Sequence, residues 1–196
     1  MTCCIGYKTE KFLYFIADTA GTDEDHVQEI RKDPKVFTRD NILFGTAGSF
    51  RMRDVLMYNL KIPTLTKSDK SNIDFYVKKK LISAIRNTFI EEGVCIKTDE
   101  SDQTCPGDIL IGIQNKIYKI ESDFQVGETA FSYNAIGSGS REALGALDMY
   151  SLIMDGKLPS KSIDVEKLLK QAMLIAANRN ATVNQCFICQ RLKIEE

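Results

Sequence analysis

The apolar segments of this chain come in closely spaced pairs, and this arrangement constrains the fold more than any other feature of the sequence. The apolar runs 3–7 and 12–17 are separated by four polar residues, and the runs 35–37 and 41–47 form a second pair with a similarly short polar connection. Connections of this length join antiparallel strands, because parallel strands need a long crossover between them. The sequence therefore predicts two β-hairpins in its first quarter.

Four further segments have the spacing of helices that bury one face. In 69–92 the apolar residues recur every four positions, and Gly93 lies where this helix would end. A shorter helix is predicted at 50–60, and two more at 163–178 and directly after 137–140. Each of these helices has one apolar stripe, which must be covered by another part of the protein.

Strand-like runs complete the order of elements. They are 108–114, 117–120, 131–136 and 185–192. The whole order is two hairpins, two helices, three strands, two helices and a last strand. Because the apolar stripes of the helices must be buried on sheets, we predict an α+β fold in which residues 1–196 form a single domain. The expected architecture is a four-layer α-β-β-α sandwich of two antiparallel sheets flanked by helix pairs.

Two polar segments, 19–34 and 97–107, are predicted to be loops. The first contains His26, the sole histidine, and a lone histidine in a surface loop is expected to have no catalytic or metal-binding role. Cys186 and Cys189 are three positions apart in a predicted strand, so their side chains would point to opposite faces of the sheet and could not easily share a metal ion. We therefore predict neither a metal site nor a cofactor.

Composition limits the partners that this chain can have. Hydrophobic residues make up 43% and charged residues 27% of it, with a formal net charge of -1, as in ordinary globular proteins. The near-neutral charge argues against a nucleic-acid binder, and the lysines at 78–80 are better explained as the solvated face of a helix. No apolar run approaches the roughly 20 residues that cross a bilayer, and no secretory signal is visible. We therefore expect a cytoplasmic protein without nucleic-acid or membrane partners.

The N-terminus carries the first candidate for chemistry. Only Met1 precedes Thr2, so the removal of one residue would leave a threonine with a free α-amine. A hydroxyl and an amine on the same residue can act as nucleophile and base. Further motifs follow in order along the chain: Gly6, 16–22 (IADTAGT), 35–37 (KVF), 45–49 (GTAGS) and 135–140 (AIGSGS).

Taken together, Thr2 and these spaced motifs resemble the proteasome β-subunit family, and in particular the HslV-type peptidases, which are N-terminal nucleophile (Ntn) hydrolases. The resemblance extends over nearly the whole chain, and the fold of that family is the α-β-β-α sandwich predicted above. It implies a threonine-type endopeptidase that cleaves unfolded polypeptides once Met1 has been removed. It also implies a homo-oligomeric ring and an AAA+ ATPase that unfolds the substrate.

The resemblance implies catalytic roles for five residues. Thr2 would be the nucleophile, and the ammonium of Lys35 would favour the neutral, basic form of the threonine amine. Asp18 would hold Lys35 charged and in place, since a buried lysine without a counter-ion favours its neutral form. The backbone N–H of Gly48 would form the oxyanion hole, because glycine allows a close approach of the substrate. Ser138 would be the accessory serine beside the nucleophile.

The same resemblance implies where the substrate would lie. Thr22, Thr46, Ala47 and Ser49 would bind an extended peptide that adds to the protein as a further strand. Thr46 would line the pocket for the side chain that precedes the cut. A small polar residue at this position predicts modest selectivity.

Some features leave alternatives open. The Gly-x-Gly of 137–139 also suits a dinucleotide-binding loop, although Glu142 stands where that motif has its third glycine. Many family members have Asp and Ser in the turn after the last long helix, where this chain has Asn180 and Val183. This departure favours the alternative of a catalytically inactive Ntn-fold protein with a structural or regulatory role. Cys3 would be the nucleophile if two residues were removed, and an amidase for small molecules would use the same threonine.

Overall fold

The computed structural model describes residues 2–22, 28–97 and 103–194. The strands are β1 (Cys4–Lys8), β2 (Phe12–Asp18), β3 (Ala20–Thr22), β4 (Gln28–Ile30), β5 (Val36–Arg39), β6 (Ile42–Gly48), β7 (Ile96–Lys97), β8 (Gln103–Thr104), β9 (Gly107–Ile113), β10 (Lys116–Ile120), β11 (Val126–Glu128), β12 (Tyr133–Ile136) and β13 (Phe187–Lys193). The helices are α1 (Phe50–Tyr58), α2 (Lys67–Ser71), α3 (Ile73–Phe75), α4 (Ile82–Glu91), α5 (Ser140–Ile153) and α6 (Ser162–Arg179). A π-helical segment, Tyr76–Leu81, connects α3 to α4.

The two main sheets are antiparallel, as the paired apolar runs predict. One has the strand order β12-β1-β2-β13, and the other has the order β11-β10-β9-β6-β5. The turn between β1 and β2 is tight because the hydroxyl of Thr9 accepts a hydrogen bond from the backbone N–H of Phe12 at 2.9 Å. The register that follows sets Gly6 opposite Phe15 in the next strand.

Three apolar clusters define the layers of the protein. Between the two sheets lie buried side chains from both, among them Cys4, Phe15, Val36, Leu43 and Leu110. The outer face of the five-stranded sheet packs against α1, α3, the π-helical segment and α4, and the outer face of the four-stranded sheet packs against α5 and α6. Burial of each Leu or Phe side chain contributes about 1.5–3 kcal/mol, so all three interfaces stabilise the fold. These contacts confirm the four-layer α-β-β-α sandwich.

The prediction of one continuous helix over 69–92 is wrong, although the predicted apolar face is correct. Thr66 and Asp69 form a capping box, so the first helical piece begins earlier, at Lys67. Asn72, with φ −138° and ψ 68°, ends that piece, and its side chain accepts a hydrogen bond from the N–H of Phe75 to begin the next. A recurrence every four residues exceeds the 3.6 residues of an α-helical turn, and the wider π-helical segment keeps the apolar residues on the core side.

The end of this helical region agrees with the prediction. Gly93 has a φ of +65°, and the N–H of Val94 donates to the carbonyl of Phe89 at 2.8 Å. A left-handed glycine with such a hydrogen bond is a common C-terminal cap. The chain therefore leaves α4 where the glycine in the sequence indicates.

The predicted loops are only partly loops. Within 19–34 the structure has β3, which pairs with β4, and within 97–107 it has β8, which pairs with β7. These strands are short and largely polar, and all three residues of β4 are exposed, so they lack the apolar alternation that marks a strand in the sequence. His26 lies outside the described residues. Cys186 is exposed and precedes the last strand, whereas Cys189 lies within it.

One end of the sandwich collects strand ends from both sheets. Because neighbouring strands are antiparallel, the start of β1 lies beside the ends of β2 and β12, and the end of β6 lies beside the starts of β5 and β9. The five residues predicted to be catalytic all lie at or next to these strand ends: Thr2, Asp18, Lys35, Gly48 and Ser138. The fold therefore gathers residues that are far apart in the sequence.

Candidate active site

Thr2 is held at this end of the sandwich by the turn that follows β12. Its backbone N–H donates to the hydroxyl of Ser138 at 3.3 Å. Its carbonyl accepts hydrogen bonds from the Ser138 hydroxyl at 3.3 Å and from the N–H of Gly139 at 3.2 Å. Only 2% of the surface of Thr2 is exposed. Thr2 therefore has a defined position although it precedes the first strand.

The contact between Thr2 and this turn depends on a glycine. Gly137 has a φ of +91°, and a Cβ at this position would lie 2.2 Å from the carbonyl oxygen of Thr2. Any other residue would be strained and would push the turn away from the N-terminal segment. The Gly-x-Gly motif of 137–139 is therefore explained by its packing against Thr2, without a nucleotide.

Asp18 connects the N-terminal segment to Lys35. One carboxylate oxygen of Asp18 accepts hydrogen bonds from the backbone N–H of Cys3 at 3.0 Å and from the Nζ of Lys35 at 2.9 Å. The other oxygen accepts from the N–H of Ala20 at 3.0 Å. In return, the N–H of Asp18 donates to the carbonyl of Cys3 at 3.2 Å. The residue that follows Thr2 is thus fixed to the same carboxylate as the lysine.

Lys35 and Asp18 form a buried ion pair. Their side chains are 4% and 0% exposed, respectively. Burial lowers the pKa of Lys35 below its usual value, and the carboxylate of Asp18 opposes that shift. The loss of one partner from such a pair leaves an uncompensated buried charge, which costs about 3–5 kcal/mol. The structure therefore holds a cation and its counter-ion next to Cys3.

Gly48 ends β6 in a conformation that suits only glycine. Its φ is +126°, and a Cβ there would lie 2.2 Å from the carbonyl oxygen of Pro106. The following N–H, that of Ser49, donates to the same carbonyl at 3.0 Å, and Gly48 pairs with Gly107 of the neighbouring strand. The backbone of β6 and the segment before β9 are therefore unusually close at this point.

A small cleft of about 230 Å³ joins these parts, and it is lined by Thr2, Ala47, Gly48, Gly107, Asp108, Gly137 and Ser138. Three of the residues predicted to be catalytic therefore line one cavity. The other two, Asp18 and Lys35, are buried and reach the N-terminal segment through Cys3. The structure thus brings all five together around residue 2.

The predicted substrate-binding residues differ in how their side chains are used. Ala47 lines the cleft and is otherwise buried between the sheets. The hydroxyl of Thr46 donates to the carbonyl of Lys35 at 3.2 Å, and that of Ser49 accepts from the N–H of Arg51 as the N-cap of α1. Thr22, at the end of β3, has a buried hydroxyl oxygen with no hydrogen-bond partner among the described residues. Only Ala47 of these four lines the cleft beside Thr2.

Thr182 was missed by the sequence reasoning, which considered Asn180 and Val183. Its hydroxyl lies 3.0 Å from the hydroxyl of Ser138 and donates to the side-chain oxygen of Asn180 at 2.5 Å. The N–H of Thr182 donates to the same oxygen at 3.1 Å. Val183 is instead buried against Gly139. An Asn whose oxygen accepts from the N–H two residues later is an Asx-turn, so the Asn-x-Thr pattern was the available signal.

The thiol of Cys3 points away from the cleft. It is fully buried and donates to the carbonyl of Gly139 at 3.4 Å, and burial raises its pKa to about 12. A thiol in this state stays protonated at neutral pH, and a protonated thiol is a weak nucleophile. These features favour Thr2 over Cys3 as the reactive residue of the N-terminal segment.

Two features are absent from the described residues, 2–22, 28–97 and 103–194. Within these ranges, no group of three or more His, Cys, Asp or Glu side chains lies close enough together to hold a metal ion. No helix in the same part of the chain is both long enough and apolar enough to span a bilayer.

No family model and no curated protein matches the sequence. Among solved structures, the Thiobacillus denitrificans BPH in complex with epoxomicin has a TM-score of 0.68 and 18% identity, with 99% of this chain and 100% of that chain covered. Eukaryotic HslV from Trypanosoma brucei has a TM-score of 0.68 and 16% identity over 97% of this chain and 99% of that chain. Another structure of the Thiobacillus BPH has a TM-score of 0.66 and 18% identity over 100% and 99%, respectively.

These similarities extend over almost the whole length of both chains in each comparison. At identities of 16–18% they show the fold. They agree with the two antiparallel sheets and the four layers described above. The resemblance noted in the sequence is thus confirmed at the level of architecture: the chain has the four-layer α-β-β-α fold of the HslV structure.

Proposed function

We propose that this chain is a threonine-type endopeptidase whose nucleophile is Thr2 after the removal of Met1. The observation that carries the proposal is the way in which residue 2 is held. Its N–H and carbonyl are bound by Ser138 and Gly139, and the next N–H shares the carboxylate of Asp18 with Lys35. This arrangement gives residue 2 a fixed position and sets a buried cation beside the next residue, as the proposed use of the threonine amine requires.

The chemistry follows from the groups of one residue. The Oγ of Thr2 would attack the carbonyl carbon of a peptide bond while the α-amine takes the hydroxyl proton. The C–N bond would then break as the amine returns that proton to the leaving nitrogen. Water would hydrolyse the remaining ester by the same route and restore the threonine. No other base is required, which suits a cleft whose lining has few titratable groups.

The surrounding groups would keep the threonine amine in its neutral form and stabilise the oxyanion. The charged Lys35 favours the neutral form of a nearby amine, and Asp18 keeps the lysine charged in spite of its burial. The backbone N–H of Gly48, on the opposite side of the cleft, would donate to the oxyanion, a contribution of about 10²–10³ in rate for one such donor. Ser138 would position the amine.

The substrate and the assembly are further parts of the proposal. An unfolded polypeptide would lie extended between Thr22 of β3 and the segment 46–49, and its backbone would add hydrogen bonds to these edges. A homo-oligomeric ring, an AAA+ ATPase that delivers the polypeptide and a cytoplasmic location complete the proposed role. The alternative is an inactive protein of the same fold, which the neutral Asn180 favours.

The test compares the wild-type protein with Thr2→Ala and Thr2→Ser. All three have a small second residue, so we expect Met1 to be removed from each, as intact mass will show. Thr2→Ser retains the hydroxyl and should keep measurable cleavage of an unfolded protein, whereas Thr2→Ala should fall to background. Epoxomicin, which the Thiobacillus BPH binds, should form an adduct with the wild type and none with Thr2→Ala.

Two results would contradict the proposal. Cleavage that survives Thr2→Ala would mean that the nucleophile is another residue. A purified protein that retains Met1 and still cleaves would mean that the α-amine of Thr2 is not the base. Absence of both cleavage and adduct in a properly folded wild type would favour the inactive alternative.

A further inference from the structure

Asp108 is the one charged residue among the described residues that line the Thr2 cleft. It is the second residue of β9 and pairs with Ala47 of β6. Residues that pair across two antiparallel strands have side chains on the same face, and Ala47 is buried between the two sheets. The carboxylate of Asp108 therefore lies on the inner face of its sheet, at the mouth of the sandwich, where Thr2 also lies.

The existing partner of Asp108 does not fully neutralise it. The Nζ of Lys119 lies 3.7 Å from its carboxylate but only 3.0 Å from the carboxylate of Glu121. One ammonium is thus shared by two carboxylates and lies closer to the one that is farther from the cleft. The three side chains carry a net charge of about −1, and Asp108 and Lys119 are only 31% and 30% exposed.

The other residues that line the cleft contribute no ionised side chain that could offset this negative charge. Thr2, Gly48 and Ser138 have no ionised side chains, and Lys35 is buried and bound to Asp18. Partial burial raises the pKa of Asp108 from its usual value, which indicates that water solvates its charge poorly. A cation that enters the cleft would improve this environment.

We propose that Asp108 is a specificity-determining residue that selects substrates with a lysine or arginine side chain next to the scissile bond, on the side of the cleft formed by β9. The inference rests on the proposed peptidase function and adds the chemical class of the preferred substrate. Thr46, on the β6 strand, is a neutral residue whose hydroxyl is already bound to the carbonyl of Lys35. Charge discrimination would therefore come from Asp108.

The test uses short peptides that are identical except for one residue, which is Lys, Gln or Glu at each position around the cut. The wild type should cleave the Lys peptide about fivefold faster in kcat/KM than the Gln peptide at one position, in line with a partly exposed ion pair. Asp108→Asn should bring this ratio close to one, and Asp108→Lys should favour the Glu peptide. Asp40→Asn removes the same charge at the exposed turn between β5 and β6, which lies at the opposite end of β6 from Gly48, and should leave the ratio unchanged.

A second substitution separates specificity from a purely structural salt bridge. Lys119→Gln breaks the same pair as Asp108→Asn but frees the carboxylate, so the preference for Lys over Gln should rise about twofold or more. If the pair acted only by stabilising the fold, both variants would change cleavage in the same direction and lower the melting temperature alike. That result, or a Lys preference that survives Asp108→Asn, would overturn the inference.

Peptide binding to the Thr2→Ala protein tests the role of Asp108 without requiring that the peptide be cleaved. Anisotropy of labelled Lys, Gln and Glu peptides should show the same order of affinity in Thr2→Ala, and Asp108→Asn added to it should remove that order. If the wild type cleaves nothing but the binding order appears and depends on Asp108, the peptidase proposal fails and the role of Asp108 stands. If peptides are cleaved without any charge preference, the role of Asp108 fails and the peptidase proposal stands.

Discussion

On one side of Thr2 the structure has a buried ion pair, and on the other side it has a chain of neutral hydroxyl and amide groups. Asp18 and Lys35 are almost completely buried, with a fixed cation 2.9 Å from a fixed anion. Ser138 is exposed, and it leads through Thr182 to Asn180, which are both half-buried. The N-terminal segment is thus held by two kinds of interaction, the ion pair at Cys3 and the neutral groups at Thr2, which differ in strength and in tolerance to change.

This difference indicates that the two sides of Thr2 have different roles. The ionic side supplies a permanent charge, and its geometry cannot relax without leaving one charge unpaired in the core. The neutral side supplies hydroxyl groups, which can rotate and act as donor or acceptor in turn. The single proton of the Ser138 hydroxyl can point to the carbonyl of Thr2 or, because Thr182 donates to Asn180, to the hydroxyl of Thr182, and in either case Ser138 accepts from the N–H of Thr2. We expect substitutions on the ionic side to cost stability and activity, and those on the neutral side to cost mainly activity.

The largest effect is expected for Lys35→Met, which leaves the buried carboxylate of Asp18 without its counter-ion. The free energy of unfolding should fall by about 3–5 kcal/mol in urea denaturation, and peptide cleavage should be lost. Adding Asp18→Asn to this variant removes the unpaired charge and should restore most of the stability but none of the activity. Lys116→Met is the matched control, because that lysine pairs with Asp74 and Glu128 at a partly exposed site.

The control should lose about 1 kcal/mol or less, since exposed ion pairs contribute little. Equal destabilisation by Lys35→Met and Lys116→Met would mean that the ion pair beside Cys3 is no more important than a surface pair. Activity that returns in the double variant would show that the cation is not needed for the reaction, and the comparison between the two sides of Thr2 would then lose its basis.

A smaller effect on stability but a clear one on activity is expected for Ser138→Ala. The substitution removes both hydrogen bonds between this side chain and Thr2, so kcat/KM should fall about 10²-fold while the free energy of unfolding changes by about 1 kcal/mol. Ser140→Ala, two residues later at the start of α5, serves as the control for the same change in composition. A loss of stability as large as that of Lys35→Met would contradict the distinction drawn between the two sides.

The ionic side of the site could be predicted from the sequence, and the neutral side only in part. Asp18 and Lys35 are assigned through the motifs 16–22 and 35–37, by which the sequence resembles the HslV-type peptidases. Their burial as a pair agrees with that assignment, because charged residues in a core require partners of opposite sign. In the turn after α6 a local Asn-x-Thr pattern marks Thr182 and was overlooked. The packing of Val183 against Gly139, by contrast, joins residues far apart in the sequence and follows only from the fold.

The architecture shows the same limit on a larger scale. The hairpin order and the helical stripes predict four layers, because both depend on apolar residues whose burial is the main driving force of folding. The paired strands β3 and β4 and the break at Asn72 depend instead on hydrogen bonds of polar residues. Such contacts leave no periodic signal, so the predicted loop 19–34 and the continuous helix over 69–92 are corrected by the structure.

The smallest effect, and the sharpest test of the neutral side, is expected for Thr182. Thr182→Val keeps the shape of the side chain but removes the hydroxyl that accepts from Ser138, so kcat/KM should fall about fivefold, the equivalent of one neutral hydrogen bond. Thr182→Ser keeps the hydroxyl and should retain nearly full activity. Both variants should melt within a few degrees of the wild type, because the residue is only half-buried.

A matching loss of activity in Thr182→Ser and Thr182→Val would assign the role of this residue to its methyl group and its packing. A loss in Thr182→Val that disappears when Ser138→Ala is already present would show that the two hydroxyls act as one unit, as coupled residues do in a double-mutant cycle. Additive losses would mean that Thr182 acts on the cleft without Ser138. In that case the chain of neutral groups from Asn180 to Thr2 would be a structural arrangement and not a functional one.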